Sequence, residues 1–268
     1  MKLTVLMDNN TFIDRYYLGE PALCFYIEDE EERILFDTGY SGAFIKNARD
    51  MGIDLGKLTA VVFSHGHNDH TRGFTFLAEE YDLSGVKLIA HPGVFARRKD
   101  NELEVGAPFA KEYCESLGMR ILDGSGPVKL TSNLWFLGTI RRTTAFEGGT
   151  TGMILEGNRW LGDPVSDDSA LVYQSSEGPF VITGCSHSGI CNIIRSALDL
   201  CGGERVSGLI GGLHLLRCDE RLKATIDFLK AHTAGPLYAC HCVSLAAKCE
   251  MMKQLLLQEV GVGLSIEI

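Results

Sequence analysis

The chain has 268 residues, 45% of them apolar, enough to bury a sizeable core as one large domain or two small ones. A formal net charge of −10 argues against broad binding to phosphate backbones, which needs Lys and Arg to displace counterions, so nucleic acid is not an expected partner. No apolar run approaches the roughly 18 residues of a membrane span, and the opening stretch Met1 to Asp8 lacks a leader-like apolar region, so no membrane partner is expected either.

Leu3 to Met7, Ala22 to Ile27 and Arg33 to Phe36 read as strands. Ser41 caps a helix that carries Phe44, Ile45, Ala48 and Met51 on one face and ends at Gly52. Ala60 to Phe63 and Val86 to Ala90 are continuous apolar runs, as expected of strands covered on both faces, with a helix from Gly73 to Tyr81 between them. Residues 92–132 break this rhythm. Pro92, Gly93, the charged Arg97-Arg98-Lys99-Asp100 and a helix from Pro108 to Gly118, with Phe109, Cys114 and Leu117 inward, predict an insertion. It is either a pocket-shaping element or a solvated loop with an ordinary surface helix.

Thr151 to Glu156, Ser169 to Gln174 and Pro179 to Thr183 read as strands, and Ile190, Ile193, Ile194, Ala197, Leu198 and Cys201 recur at amphipathic helical spacing. Val206 to Ile210 is the next strand, Asp219 caps a helix to about Ala231, and Leu237 to Cys240 is the last long strand. A closing helix is expected to bury Leu245, Cys249, Met252 and Leu256. No linker or repeat interrupts the chain, so a single α/β domain over 1–268 is expected. Nine Cys, an odd count with no Cys-x-x-Cys pair, fit reduced thiols in a cytoplasm better than a disulfide framework.

The densest chemistry is Ser64-His65-Gly66-His67-Asn68-Asp69-His70, an H-x-H-x-D-H pattern directly after an apolar strand. Alternate residues of an extended turn point the same way, so His65 and His67 can bind one metal ion while Asp69 and His70 reach a second. Two divalent transition-metal ions are therefore the expected cofactors. Zn is the first choice, with Fe, Mn and Ni open. Such a pair lowers the pKa of a bound water and holds a substrate oxyanion, which implies hydrolysis of an ester, lactone, amide or phosphoester. No serine nucleophile is called for, because Ser64 and Ser186 lack a Gly-x-Ser-x-Gly elbow.

Phe36-Asp37-Thr38-Gly39, the Ser64 to Gly73 stretch, Thr183-Gly184-Cys185-Ser186-His187 and a late strand ending at His241 together resemble the metallo-β-lactamase superfamily over nearly the whole chain. The resemblance implies an αββα sandwich, two mixed β-sheets flanked by helices, with insertions that shape the substrate pocket. It implies metal ligands at His65, His67, Asp69, His70, His187 and His241, and an Asp37 that supports the His loop without binding metal. His214, after Gly211-Gly212, competes with His241 for the second ion. Whichever is not needed is free to protonate the leaving group, and Asp69 and His214 are the expected catalytic pair.

Cys185 departs from the superfamily, which commonly has a bridging Asp there. The bridging carboxylate must come from elsewhere or be absent; Asp168 is the nearest candidate and reads equally as a turn residue, while Cys185 is itself a possible ligand. Arg72, the Arg97-Arg98-Lys99 cluster and Arg141-Arg142 could neutralise a small anionic substrate or be surface charge. Gly184 to Ile190, Gly211 to Leu215 and His241-Cys242 are similar to a branch of dihydropterin and ribofuranosylaminobenzene-phosphate synthases of methanopterin biosynthesis. This chain departs from that branch at Arg72, where Gly is usual, and at Val243-Ser244, where Thr-Gly is usual. A dinuclear metallohydrolase is the leading expectation. A synthase-like transferase and a non-catalytic metal-binding module are the alternatives.

Overall fold

The computed structural model describes residues 1–268. One sheet has seven strands in the order β17-β1-β2-β3-β4-β5-β8: β1 (Lys2–Met7), β2 (Cys24–Asp29), β3 (Glu32–Phe36), β4 (Ala60–Val62), β5 (Lys87–Ala90), β8 (Arg120–Asp123) and β17 (Ser265–Glu267). A second has six, β16-β15-β14-β13-β10-β9: β9 (Val128–Lys129), β10 (Leu134–Phe136), β13 (Ala170–Ser175), β14 (Gly178–Thr183), β15 (Gly208–Gly211) and β16 (Leu237–Ala239). A small third sheet joins β6 (Arg98–Asp100) and β7 (Leu103–Glu104) to β11 (Met153–Glu156) and β12 (Arg159–Gly162).

Strand alternation builds the layers. Ile34, Phe36, Val62 and Ile89 of the first sheet meet Leu171, Ile182 and Ile210 of the second in a core between the sheets. Their neighbours Leu35, Val61 and Leu88 face outward, onto α1 (Ala43–Asp50), α3 (Gly73–Glu80) and α4 (Lys111–Ser116) through Phe44, Phe74 and Cys114. Val172, Val181 and Leu209 face α5 (Ile190–Cys201), α6 (Glu220–His232) and α7 (Leu245–Met252) on the far side. The result is helix, sheet, sheet, helix, and both faces of the central strands are covered, which explains their continuous apolar runs. Each fully buried large apolar side chain stabilises by about 1.5–3 kcal/mol, so these cores dominate stability and leave the strand-end loops free to hold polar, strained groups. No helix is long and apolar enough to cross a membrane.

Two expectations change. Residues 92–132 distribute their strands over all three sheets. β6 and β7 belong to the small sheet, whereas α4 leads into β8, which pairs parallel with β5, and β9 joins the second sheet. The face of α7 is also different: Ala247 and Met251 are buried, while Leu245, Met252 and Leu256 are more than half exposed and Cys249 is exposed. The helix is apolar on two sides, and the side bearing the small Ala247 is the one that fits closely against the second sheet's outer core.

Candidate metal centre

Parallel pairing sets the site. β3, β4 and β5 run parallel, as do β14, β15 and β16, so their C-terminal ends align at one edge of each sheet. Loops from those ends carry Asp37, the Ser64 to His70 stretch, Cys185 and His187, His214, and His241. The 64–70 stretch runs into α2 (Asn68–Thr71), a single turn that carries His70 back until its ring lies 4.2 Å from that of His65. Gly184 makes the approach of the two sheets possible, because a Cβ there would lie 2.1 Å from Ser64 Oγ. Asp37, Ser186, His214 and His241 all hold left-handed backbone, φ between 47° and 59°. Non-glycine residues rarely adopt it, and four such positions at one edge are strain held in place by the packed layers beneath.

The side chains converge in two groups that share one member. Asp69, His70, Cys185 and His241 place ligand atoms within 4.8 Å of one another, and so do His65, Cys185 and His187. Hydrogen bonding fixes which imidazole nitrogen faces inward. Ser64 Oγ donates to Asp37 Oδ2, so it accepts from His65 Nδ1–H at 2.9 Å, which leaves His65 Nε2 without a proton, 3.0 Å from His67 Nδ1. His70 Nδ1 donates to Asp37 Oδ2 at 2.6 Å and His241 Nδ1 to Asn9 Oδ1 at 3.0 Å, and His187 Nδ1 lies 3.4 Å from Thr151 Oγ1. Each then presents Nε2 to the centre. The Nε2 atoms of His67 and His187 are buried with no hydrogen-bond partner, the condition of a lone pair awaiting a cation.

Electrostatics separate the two groups. Burial, reinforced by the neighbouring imidazoles, holds His65 and His187 well below the usual histidine range, and burial brings His67 down to about 4, so all three are neutral. His70 goes the other way. Burial opposes its charge, but Asp69 and Asp37 outweigh it and raise the group to about 9. Asp69 is correspondingly lowered: burial again opposes, and His70 and His241 prevail. Burial, then Cys242 and Asp69, push the Cys185 thiol up. The donor set of neutral imidazoles, one carboxylate and one thiol suits transition-metal ions.

Every residue singled out from the sequence can be placed. His65 and His187 fall in one group, and Asp69, His70 and His241 in the other. His67 lies beside the first, with Nδ1 3.0 Å from His65 Nε2, but outside its tightest set. Asp37 touches no group from inside; it accepts from Ser64 N, Ser64 Oγ and His70 Nδ1. His214 is in neither group, and its ring packs 4.5 Å from that of His187. Asp168 is also in neither. It is fully buried behind His187, accepts from Ser188 N through Oδ2, leaves Oδ1 unpaired, and is raised to about 7 chiefly by burial.

A cavity of about 560 Å³ opens over the centre, within the range of small-molecule sites. His67, Asp69, Cys185, His187, His214 and His241 form its floor, and Asn9, Asp100, Val105, Thr151, Leu216, Val243 and Ser244 are among its walls. No Lys or Arg lines it. Of the two readings of the arginines, the lining favours charge used elsewhere in the fold over neutralisation of a substrate. Arg72 stacks on Tyr40, Arg97 pairs with Glu104, and Arg142 donates to the carbonyls of Pro164 and Val165. Arg98 is buried between Asp163 and Asp167, and Asp167 in turn accepts from Gly66 N, which braces the His loop from below. Part of 92–132 does reach the cavity, through Asp100 and Val105.

Sequence reasoning missed Asn9 and Asp8, which hold His241 by its ring and its N–H, and Thr151 beside His187. The polar run Asp8-Asn9-Asn10 at the end of an apolar strand was the available signal. Thr151 had none.

The model of the metallo-β-lactamase superfamily matches residues 18–198, more than half of the sequence. The chain belongs to that superfamily. Among its relatives, a 7,8-dihydropterin-6-methyl-4-(β-D-ribofuranosyl)-aminobenzene-5'-phosphate synthase of Methanocaldococcus jannaschii is 28% identical over 95% of this chain and 91% of its own. The crystal structure of a metal-dependent hydrolase of the superfamily superposes with a TM-score of 0.85 at 27% identity, covering 100% of this chain and 99% of that one. Zn(2+)-bound PqqB from Methylobacterium extorquens shares the fold, with a TM-score of 0.59 at 10% identity and full coverage of both chains. The αββα sandwich implied by the sequence is thus the superfamily's own architecture.

Proposed function

We propose that the chain is a metal-dependent hydrolase whose two ligand groups hold two transition-metal ions, with Zn the first choice. One observation carries this: four histidines on three strand-end loops set Nδ1 against outer hydrogen-bond partners and turn Nε2 inward, around two centres rather than one. His65, His67 and His187 are the protein ligands of one ion, and Asp69, His70 and His241 those of the other. When bound, such a pair supplies an activated water and a positive field for the substrate oxyanion.

The protein's own groups do the rest. Asp37 and Asn9 keep His70 and His241 in the tautomer a metal needs. Asp69 takes its place through His70 and His241, with its Oδ2 3.3 Å from His241 Nε2. His214, half-buried on the cavity floor and held below the usual histidine range by burial, is neutral, so it takes up a proton released in the reaction before passing one to the leaving group. The cavity volume fits a small molecule. Because no cationic side chain lines it, an ester, lactone or phosphoester substrate meets positive charge only at the ions. Metal analysis followed by a panel of esters, lactones and phosphodiesters tests this. Turnover that needs metal and is lost in His67→Ala supports it, and no turnover of any class by fully loaded protein overturns it.

A transferase that joins a pterin to a phosphorylated aminobenzene is the second reading, favoured by the printed activity of the 28% identical relative. Of the two departures from that branch, Arg72 lies outside the cavity, whereas Val243 and Ser244 line it. Only the latter bears on substrate. Product formation from a dihydropterin diphosphate and an aminobenzene riboside phosphate, followed by mass spectrometry, separates the two.

A further inference from the structure

A group that bridges two ions must lie within bonding distance of both, and ions in such centres sit about 3.5–4 Å apart. It must therefore belong to both ligand groups. Cys185 is the one residue that does. Asp69 belongs only to the second group, and Asp168 belongs to neither. Cys185 Sγ stands 3.2 Å from His70 Nε2. Two ligands on one tetrahedral ion, with metal–sulfur and metal–nitrogen bonds of about 2.3 and 2.0 Å, would be about 3.5 Å apart, so sulfur and imidazole are already near their shared-ion spacing. On the other side the unpartnered Nε2 of buried His187 completes the first group.

We propose that the Cys185 thiolate is a ligand common to both ions and occupies the position that a carboxylate fills elsewhere. This rests on the two-ion reading above and adds to it the identity of the bridge. A bridging sulfur also biases the centre towards softer ions such as Zn over Mn or Mg. The residue is positioned for the task by the chain itself: Gly184 lets β14 end against Ser64, and the Cys185 carbonyl accepts from Cys242 Sγ, so the second thiol braces the backbone of the first.

Stepwise loading of the metal-free full chain with Co(II) tests it by absorption. The sulfur-to-cobalt charge-transfer band should grow with the first equivalent and again with the second, and be lost in Cys185→Ser. Cys242→Ser should keep it. Cys185→Asp should bind two equivalents without the band, which shows that the fold survives and that a carboxylate replaces the bridge. A band that saturates after one of two bound equivalents overturns the bridge alone. A band that persists in Cys185→Ser and disappears in Cys242→Ser assigns the sulfur to Cys242 and overturns the proposal. Binding of a single equivalent, measured independently by elemental analysis, overturns the two-ion reading and the bridge with it.

Discussion

Asp37→Asn is a sparing perturbation of the centre, since it touches no ion and keeps the side chain's shape. Asp37 accepts from Ser64 N at 2.8 Å, Ser64 Oγ at 2.7 Å and His70 Nδ1 at 2.6 Å, all buried. In the variant one oxygen can keep the Ser64 N–H, but the new amide nitrogen confronts two donors. Hydrogen bonds to a charged group are worth about 1.5–3 kcal/mol each, and the Ser64 hydroxyl can rotate away, so we expect the metal-free fold to lose about 2–4 kcal/mol. The larger consequence is at His70. To accept from the amide, Nδ1 must lose its proton to Nε2, the atom that faces Asp69, Cys185 and His241. Losing such an orienting partner typically weakens metal binding about 10–100-fold, or about 1.4–2.7 kcal/mol. Titration against a competing chromophoric chelator should show the loss in one equivalent and not the other, with urea unfolding reporting stability separately. A folded variant that binds both equivalents with wild-type affinity would refute the tautomer argument.

Arg98→Ala should cost about 3–5 kcal/mol in urea unfolding, because it leaves Asp163 and Asp167 buried without a countercharge; a loss below about 1 kcal/mol would show that the pair is not structural. In metal-free protein, the raised His70 pKa contributes stability that is complete below the ordinary imidazole value of about 6.5 and is lost as pH rises through about 9. The difference in stability between wild type and His70→Gln should therefore shrink over that window, and a difference that is flat with pH would contradict it. Metal must displace the same proton, so binding should release protons to buffer below about pH 9, as calorimetry in buffers of different ionisation enthalpy would show. His241→Ala should lose one ion, whereas His214→Ala should keep both and lose rate, most with poor leaving groups; the reverse pattern would exchange their roles.

The layered fold and the His-loop geometry were legible in the sequence for a plain reason. Buried parallel strands read as apolar runs, and H-x-H-x-D-H compresses four donors into six residues, so local spacing alone brings them together. What was hidden depends on distant segments. Arg98 looks like part of a basic surface cluster with Arg97 and Lys99; only the fold shows that Asp163 and Asp167 close around it. The closing helix misled because Leu245, Met252 and Leu256 have the spacing of a buried stripe, yet α7 ends at Met252, before Leu256, and helical periodicity cannot tell which of two apolar faces meets the sheet. Asn9 and Thr151 act through single hydrogen bonds across the fold, which leave no local pattern. Cys185 was visible as a departure from Asp, but its place between the two groups follows from the meeting of both sheets.

The central claim, two ions held by two strand-end groups, is tested most directly by metal content of the purified full chain and four variants after supplementation and removal of loose metal. The account predicts close to two equivalents for wild type, about one for His187→Ala, with the Asp69 group still loaded, and about one for His241→Ala, with the His65 group still loaded. Asp69→Ala should match His241→Ala, and His65→Ala should match His187→Ala. Fewer than about half an equivalent in the wild type, or a single ion lost entirely in every variant, would contradict it.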